Sequence, residues 1–421
     1  MPVPPVLRQT LHSDSQLARV IAEGAIALIG AALLASAIAA NQRWLDSHFL
    51  PTFFVTRQWY VFLEDIVRVA AGTLGVSLGL LARPRVGRFV ARAPASALHV
   101  LIAAGLAFCA SELVLRHVQL RPSEWLWADE EPRRQADPRL GWTFVPARTG
   151  RSAIGGRVVE YAFDPAGYRV RSVGEPVDPE RPTILFTGES VMFGEGLTWE
   201  ESIPAQVGAM MGLQSANLAV DGFGTDQAYL RLQAELPRFR RPVAVVAVFM
   251  TTLLGRNIDD DRPHLGPGLV WQPSVQHWRL VSLATRLVPY SSRAAVERGI
   301  AVTREVLCAT VALAAARGAT PLVLDVQFGP EDSTDQWLRR RILDDAGVPY
   351  VLVEIDPAWT VPGDGHPNAR AAESGQERGG RRLRRDPAGR PDRVVARRPD
   401  PRRRSGHGRH RPRKRPPARV R

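Results

Sequence analysis

Cysteine is nearly absent: Cys109 and Cys308 are the only two in 421 residues. Cys109 stands inside an apolar run and Cys308 in a helix-patterned stretch, so neither a disulfide framework nor a cysteine-held metal can be read from them. Also missing are a glycine-rich phosphate-binding loop and any group of residues at metal-ligand spacing, so no cofactor and no metal are expected. A generally basic surface is lacking too. The formal charge is +13, but 20 Lys and Arg against 5 Asp and Glu fall from Pro367 onward, and the chain before it is slightly acidic. A nucleic-acid partner would rest on that last stretch alone, and none is expected.

Apolar sequence, by contrast, dominates the first 120 residues. Three runs, Gly24 to Ala40, Ile66 to Ala82 and Ala95 to Leu115, each approach the ~20 residues that a bilayer crossing needs. Arg83, Arg85, Arg88 and Arg92 lie between the second and third runs. Such a cluster stays in the cytoplasm. Three crossings then leave the N-terminus inside and everything after Arg116 outside. The first run reads as an anchor rather than a cleaved leader, because its start lies far from a basic terminus and two more runs follow. Buried helices of a soluble domain are the competing reading, but three such runs are hard to bury within 100 residues. Glu64, Asp65 and Arg68 are the weak point of the second run, to be placed at the interface or paired between helices.

From Thr183 the pattern alternates. Thr183–Phe186, Ser215–Val220, Pro242–Met250, Pro321–Gln327 and Pro349–Ile355 read as strands. Ser202–Leu213, Thr225–Phe239, Ala294–Arg317 and Thr334–Ala346 read as helices between them. This is an α/β pattern, and it predicts a three-layer sandwich with a parallel sheet preceded by three transmembrane helices. Reactive groups in such a sheet gather at the carboxyl ends of its strands. A turn-rich, aromatic segment, Asp137 to Arg171, precedes the first strand and reads as a small β-rich lead-in. An irregular insertion, Thr251 to Ser292, lies beside a strand end, where loops often shape a site.

Three places along that edge could carry chemistry. The first strand runs into Gly188-Glu189-Ser190; a serine at a sharp strand-to-helix turn exposes its hydroxyl and aims its own N–H at an incoming oxygen. The second runs into Asp221-Gly222, and Gly222 could donate a backbone N–H to a developing oxyanion. The last is followed by Asp364-Gly365-His366, a base with a carboxylate able to fix its tautomer. Each has a plain structural alternative: a helix cap, a tight turn, a stray loop histidine. Together they arrive in one order on one sheet edge, the arrangement acyl transfer needs.

With these residues the chain resembles the SGNH (GDSL-like) hydrolase superfamily from about Asp137 to Asn368. The family's Gly-Asp-Ser block stands here as Gly188-Glu189-Ser190, its second-block glycine as Gly222 within NLAVDGFGTDQ, and its Asp-x-x-His block as the near variant Asp364-Gly365-His366. DPRLGW…GYRVR is similar to the segment preceding the first block in many bacterial members. The resemblance implies a flavodoxin-like fold, with Ser190 as nucleophile, His366 and Asp364 as its partners, and ester hydrolysis or O-acyl transfer. Ser190 and Gly222 would supply oxyanion donors. Two departures stand out. Glu189 replaces the usual Asp. The third block, normally Gly-x-Asn-Asp, has its spacing only at Gly255-Arg256-Asn257, past the strand end, while Thr251 and Thr252 occupy the asparagine's place. Asn257 is the candidate third donor.

The implied division is a membrane region over 1–120, a lead-in over 121–180, a hydrolase-like catalytic domain over 181–370, and a basic tail over 371–421. The expected partner is an ester- or acyl-bearing substrate such as an envelope glycan or lipid. The expected location is a bacterial inner or plasma membrane with the catalytic domain periplasmic or extracellular. The alternative is a degenerate SGNH-fold binding or assembly protein. After Asn368 a closing amphipathic helix is due and NARAAES begins one, but the Arg-, Pro- and Gly-rich sequence that follows has no helical period and is read as disordered. A shift of reading frame near codon 374 of a GC-rich gene accounts for that composition, and an intact frame on resequencing would sink the idea.

Overall fold

The computed structural model describes residues 5–48, 57–127, 129–287 and 290–385. The five runs read as strands, of which Pro242–Met250 is apolar throughout, all pair in parallel. Strand β6 (Thr183–Thr187) lies between β7 (Gln214–Asn217) and β8 (Pro242–Phe249), and β11 (Thr320–Phe328) and β12 (Tyr350–Ile355) follow outward from β8. In register, Phe186 stands opposite Asn217 on one side and Val246 on the other. Leu218 and Val220 extend the β7 ladder by donating to Phe186 O and Gly188 O.

Alternate side chains of β8 part to opposite faces, as a strand period of two requires. Ala244, Val246 and Val248 join a core with Ile203, Val207, Ala371, Ala372 and Leu383. Ala247 and Phe249 join another with Leu254, Ile300 and Leu307. Val245 joins a third with Leu232 and Leu236. The helices Ile203–Met211 and Ala369–Arg385 thus cover one face, and Thr225–Glu235 and Arg293–Ala316 the other.

The β-rich lead-in joins the large sheet. Its strands β3 (Arg148–Ile154), β4 (Arg157–Phe163) and β5 (Arg169–Val170) continue the same sheet antiparallel beyond β7, in the order β12-β11-β8-β6-β7-β5-β4-β3. The sheet is therefore mixed, five strands parallel and three antiparallel. A hairpin of β1 (Arg134–Asp137) and β2 (Gly141–Phe144) precedes it. Within the insertion, a second hairpin joins β9 (His264–Gly266) to β10 (Val270–Gln272).

Three N-terminal helical stretches are long and apolar enough to cross a membrane: Ser15–Ala39, Val61–Arg92 and Pro94–Leu115. Their large apolar side chains, among them Leu28, Val69, Leu101 and Leu106, lie on the surface, where water would not tolerate so large a patch. The first two cross at Gly30 and Gly75. A Cβ on either glycine would fall within 2.8 Å of the other's carbonyl oxygen, so only glycine allows this approach. A fourth helix of similar length and hydropathy, Arg293–Ala316, buries Val296, Ile300 and Val306 in the sheet core and belongs to the globular part.

Two details differ from the sequence reading. The arginine cluster is not in a loop: Arg83–Arg92 continues the second helix, and the chain turns only at Ala93, whose φ of −141° breaks the helix before Pro94. The supposed tail is helical over Ala369–Arg385, the closing helix due after Asn368. The rest of the tail reading, 386–421, lies outside the described residues.

Candidate active site

Gly188 ends β6 at a φ of 153°, and a Cβ there would strike Val248 Cγ1 at 2.3 Å, so the bend requires glycine. Glu189 then caps the one-turn helix Ser190–Phe193, its Oε1 accepting from Val191 N at 2.9 Å. The cap holds Ser190 at the sheet edge, almost wholly buried. The turn behind it is pinned from the lead-in. Arg169 of β5 is fully buried and donates to the carbonyls of Phe193 (2.6 Å), Gly194 (2.7 Å) and Leu197 (2.5 Å). Its guanidinium lies over the rings of Tyr161 and Phe193.

Trp142 of β2 supports the second turn. Its Nε1 donates to Asp221 O at 3.0 Å, and its ring sits where a Cβ on Gly222 (φ 79°) would come within 3.1 Å. Arg262 and Arg256, from the insertion, donate to Gly222 O (2.7 Å) and Phe223 O (2.9 Å). Among the described residues, neither the Ser190 nor the Gly222 backbone N–H has a hydrogen-bond acceptor.

The loop after β12 brings in the base. Val361 donates to His366 O (2.7 Å) and accepts from Asp364 N and Gly365 N, closing a tight loop. His366 Nε2 lies 2.8 Å from Ser190 Oγ, and Nδ1 is hydrogen-bonded to the Asp364 carboxylate. That carboxylate assigns a ring proton to Nδ1. Ser190, His366 and Asp364 therefore form one continuous chain.

Asn257 does not join them. Its amide donates to Thr225 Oγ1 (2.5 Å) and Thr303 Oγ1 (2.7 Å), and its oxygen accepts from Thr225 N, so both amide hydrogens are spent on packing helices together. The expectation of a third donor there is corrected. Thr251 does not replace it, since its hydroxyl donates to Asp335 at 2.7 Å.

Two carboxylates that the sequence reading missed face the base. A carboxylate oxygen of Glu195, one of Asp221 and a ring nitrogen of His366 all lie within 4.8 Å of one another. Asp221 is ion-paired with Arg134, and Glu195 keeps one buried oxygen without a hydrogen-bond partner. Burial and the charge of Asp221 push Glu195 up to about 8. For His366 burial works against the charged form. The Asp364 hydrogen bond and the negative charges of Glu195, Asp364 and Asp221 outweigh it, raising the imidazole to about 9. The matching effect holds Asp364 below its ordinary value, chiefly through the His366 hydrogen bond. The available signal was two acids adjoining the blocks already singled out, within GESVMFGEG and NLAVDGFG.

The sequence reading found no metal-ligand group, yet folding gathers Glu195, Asp221 and His366, and separately Asp260, Asp261 and His277. In each set an arginine already supplies positive charge, Arg134 to Asp221 and Arg121 to Asp261.

No family model matches the chain, and no curated protein matches it either. Solved structures do. One is a lipolytic protein of the G-D-S-L family from Desulfitobacterium hafniense, with 13% identity, 47% of this chain and 98% of that chain covered, and a TM-score of 0.30. Another is a GDSL-like lipase from Bacteroides thetaiotaomicron, with 13% identity, 50% and 91% covered, and a TM-score of 0.31. An acetyl xylan esterase from Butyrivibrio proteoclasticus has 11% identity, 50% and 65% covered, and a TM-score of 0.32.

Proposed function

We propose that this chain is a membrane-anchored serine hydrolase of the SGNH type that cleaves esters or transfers O-acyl groups outside the cytoplasm. The observation that carries the reading is the hydrogen-bonded chain from Asp364 through His366 to Ser190 Oγ, 2.8 Å from His366 Nε2. Among the described residues, the backbone N–H groups of Ser190 and Gly222 have no acceptor of their own.

The chemistry follows from these groups. Ser190 Oγ attacks the ester carbonyl carbon while its proton passes to His366 Nε2. The carbonyl electron pair moves onto oxygen, which the N–H groups of Ser190 and Gly222 receive. Asp364 holds the imidazolium in place. Collapse of the intermediate breaks the bond to the alcohol oxygen, which takes the proton from His366 and leaves an acyl group on Ser190. In the second half an acceptor hydroxyl gives its proton to His366 and attacks the acyl carbon, and Ser190 regains its proton. Water as acceptor makes an esterase; a sugar hydroxyl makes an O-acyltransferase on envelope glycan or lipid.

The anchoring half of the reading is supported by the exposed apolar side chains of three helices and by where their ends lie. Arg83, Arg85, Arg88 and Arg92 fall at the end between the second and third helices. Residues near the C-terminal ends of the first and third helices, His48 and Glu112, contact the globular part at Ser291 and Arg279. That polarity agrees with a cytoplasmic N-terminus.

Fluorophosphonate labelling of the full chain in detergent, with the adduct located by mass spectrometry, tests the reading. An adduct on Ser190 that is absent in Ser190→Ala is expected. The missing third-block asparagine favours the second reading, a binding protein on a degenerate fold, and folded protein that takes no adduct would establish that instead.

A further inference from the structure

The insertion reaches two places. Near its start, Arg256 and Arg262 hold the backbone of the turn that carries Gly222. Its other end, Gln276 to Leu287 with Tyr290 to Ser292, lies against the outer ends of two apolar helices. Both carboxylate oxygens of Glu112, in the last turn of the third helix, accept backbone N–H groups of the helix Arg279–Leu287, from Arg279 (2.8 Å) and Leu280 (3.0 Å). Phe108, one turn deeper, meets the ring of Trp278 at 6.0 Å. On the other side, the short helix Gln42–His48 follows the first apolar helix. Trp44, His48 and Tyr290 form a stack, with centroids 4.2 Å apart for Trp44 and His48 and 5.5 Å for His48 and Tyr290.

This end leaves large apolar and amphipathic side chains uncovered. Trp278 is 59% exposed, Val281 47%, Tyr290 48% and Trp44 38%. Trp278 and Val281 are three apart and so share one face of the turn that opens Arg279–Leu287. Ser282, one turn on from Trp278, is buried and marks the inner edge of that face. Arg286 lies over the ring of Trp125 at 4.8 Å, adding a cation to the aromatic group. Between the third helix and Trp278 opens a cavity of about 500 Å³ lined by Glu112, Arg116, Gln276, His277, Trp278 and Arg279. Tryptophan, tyrosine and arginine at the end of an apolar helix are the residues that settle at the boundary between lipid headgroups and acyl chains.

We infer that this face, Trp44, Trp278, Val281 and Tyr290 with the helix Arg279–Leu287, is seated in the phospholipid interface of the outer leaflet. The cavity beside Trp278 faces the headgroups. The inference rests on the reading that the three N-terminal helices span the bilayer. The partner is lipid because the patch is continuous with helices whose apolar surface only lipid can cover. The capping of Arg279–Leu287 by Glu112 sets its height relative to the third helix. Through Arg256 and Arg262 the same segment holds the site's glycine turn, so the site stands at a fixed distance from the bilayer surface.

Spin labels on the full-length protein in nanodiscs of phosphatidylcholine and phosphatidylglycerol test this by comparing accessibility to oxygen and to a water-soluble nickel chelate. Three single-cysteine proteins are needed, each lacking Cys308. One carries native Cys109 in the third helix; the others lack Cys109 and carry Val281→Cys or Glu200→Cys, the last on the exposed globular surface. All three positions are exposed or lipid-facing, so labelling leaves the fold intact. The expected oxygen-to-nickel ratio at 281 is several-fold above that at 200 and below that at 109. A ratio at 281 equal to that at 200, with 109 in hydrocarbon, overturns the seating and leaves the spanning helices standing. A label at 109 as accessible to nickel as the one at 200 overturns the spanning reading, and the seating with it.

Discussion

Glu189 Oε2 lies 2.5 Å from Ser190 Oγ, so the carboxylate that caps the helix behind the candidate nucleophile also holds its hydroxyl. Glutamate here is one methylene longer than the aspartate of the Gly-Asp-Ser block that this turn resembles. The hydroxyl has one proton to give. The structure places it toward Glu189, while a neutral imidazole at 2.8 Å offers a second acceptor. A hydrogen bond to a carboxylate is worth roughly 1.5–3 kcal/mol, so Glu189 competes with the base for the proton that must move. Glu189→Asp keeps a good helix cap and withdraws the competing oxygen. The expected result is fluorophosphonate labelling of Ser190 up to about tenfold faster near neutral pH. Labelling that slows would mean that Glu189 positions the serine rather than restraining it.

The base itself sets a pH dependence. His366 must be neutral to accept the serine proton, and its pKa is raised to about 9. Labelling should therefore rise with pH through roughly that value. The groups around the ring are Asp364, Glu195 and Asp221, with Arg134 paired to Asp221. Negative neighbours favour the charged imidazolium, so removing one lowers the pKa. Glu195→Gln and Asp221→Asn should each move the midpoint to lower pH, by about one unit, and speed labelling at pH 7. A midpoint that does not move in either variant would show that these carboxylates do not act on His366.

Asp364 has a different part from those two acids, because its carboxylate is hydrogen-bonded to Nδ1. Asp364→Asn keeps the shape but can leave the ring proton on Nε2, where it blocks acceptance from Ser190. A loss of labelling rate on the order of 10⁴ is expected by analogy with serine triads, with the unfolding transition little changed. A loss of less than about tenfold would put the orientation of His366 down to its loop.

What could be read in advance follows from where the information sits. The strand positions were legible because short, largely apolar runs stand between helix-patterned segments, most plainly at Pro242–Phe249, which is apolar throughout. The order of Ser190, Gly222 and the Asp364–His366 pair was legible because sheet topology brings strand ends together whatever the loop lengths. The antiparallel extension was not, since Arg148–Ile154 is half polar and its pairing with Arg157–Phe163 says nothing about joining a distant parallel sheet. Asn257 was misplaced because a Gly-x-Asn spacing carries no direction for the side chain, and here it points to Thr225 and Thr303. Glu195, Asp221 and Arg134 were missed because their meeting depends on three separate turns.

The helix Ala369–Arg385 was misjudged for a reason that yields a final prediction. It shows no stripe of large apolar residues because small ones do the packing: Ala371, Ala372, Gly375, Gly379 and Gly380 are buried with Leu383. A Cβ on Gly379 would approach Leu324 Cδ2 to 3.2 Å, and one on Gly380 would overlap the end of Met210. The helix therefore lies close on its neighbours. It begins directly after the loop of His366, where Asn368 Oδ1 accepts from Ala371 N at 3.2 Å. Seating this helix should hold the base loop in place. Leu383→Ala should cost about 2–3 kcal/mol in urea unfolding, the low end for a buried leucine. A chain ended after Arg385 should still label at Ser190, whereas one ended after Asn368 should not. Labelling that survives in the chain ended after Asn368 would mean that the Val361–His366 loop holds its shape without the helix, through its own backbone hydrogen bonds.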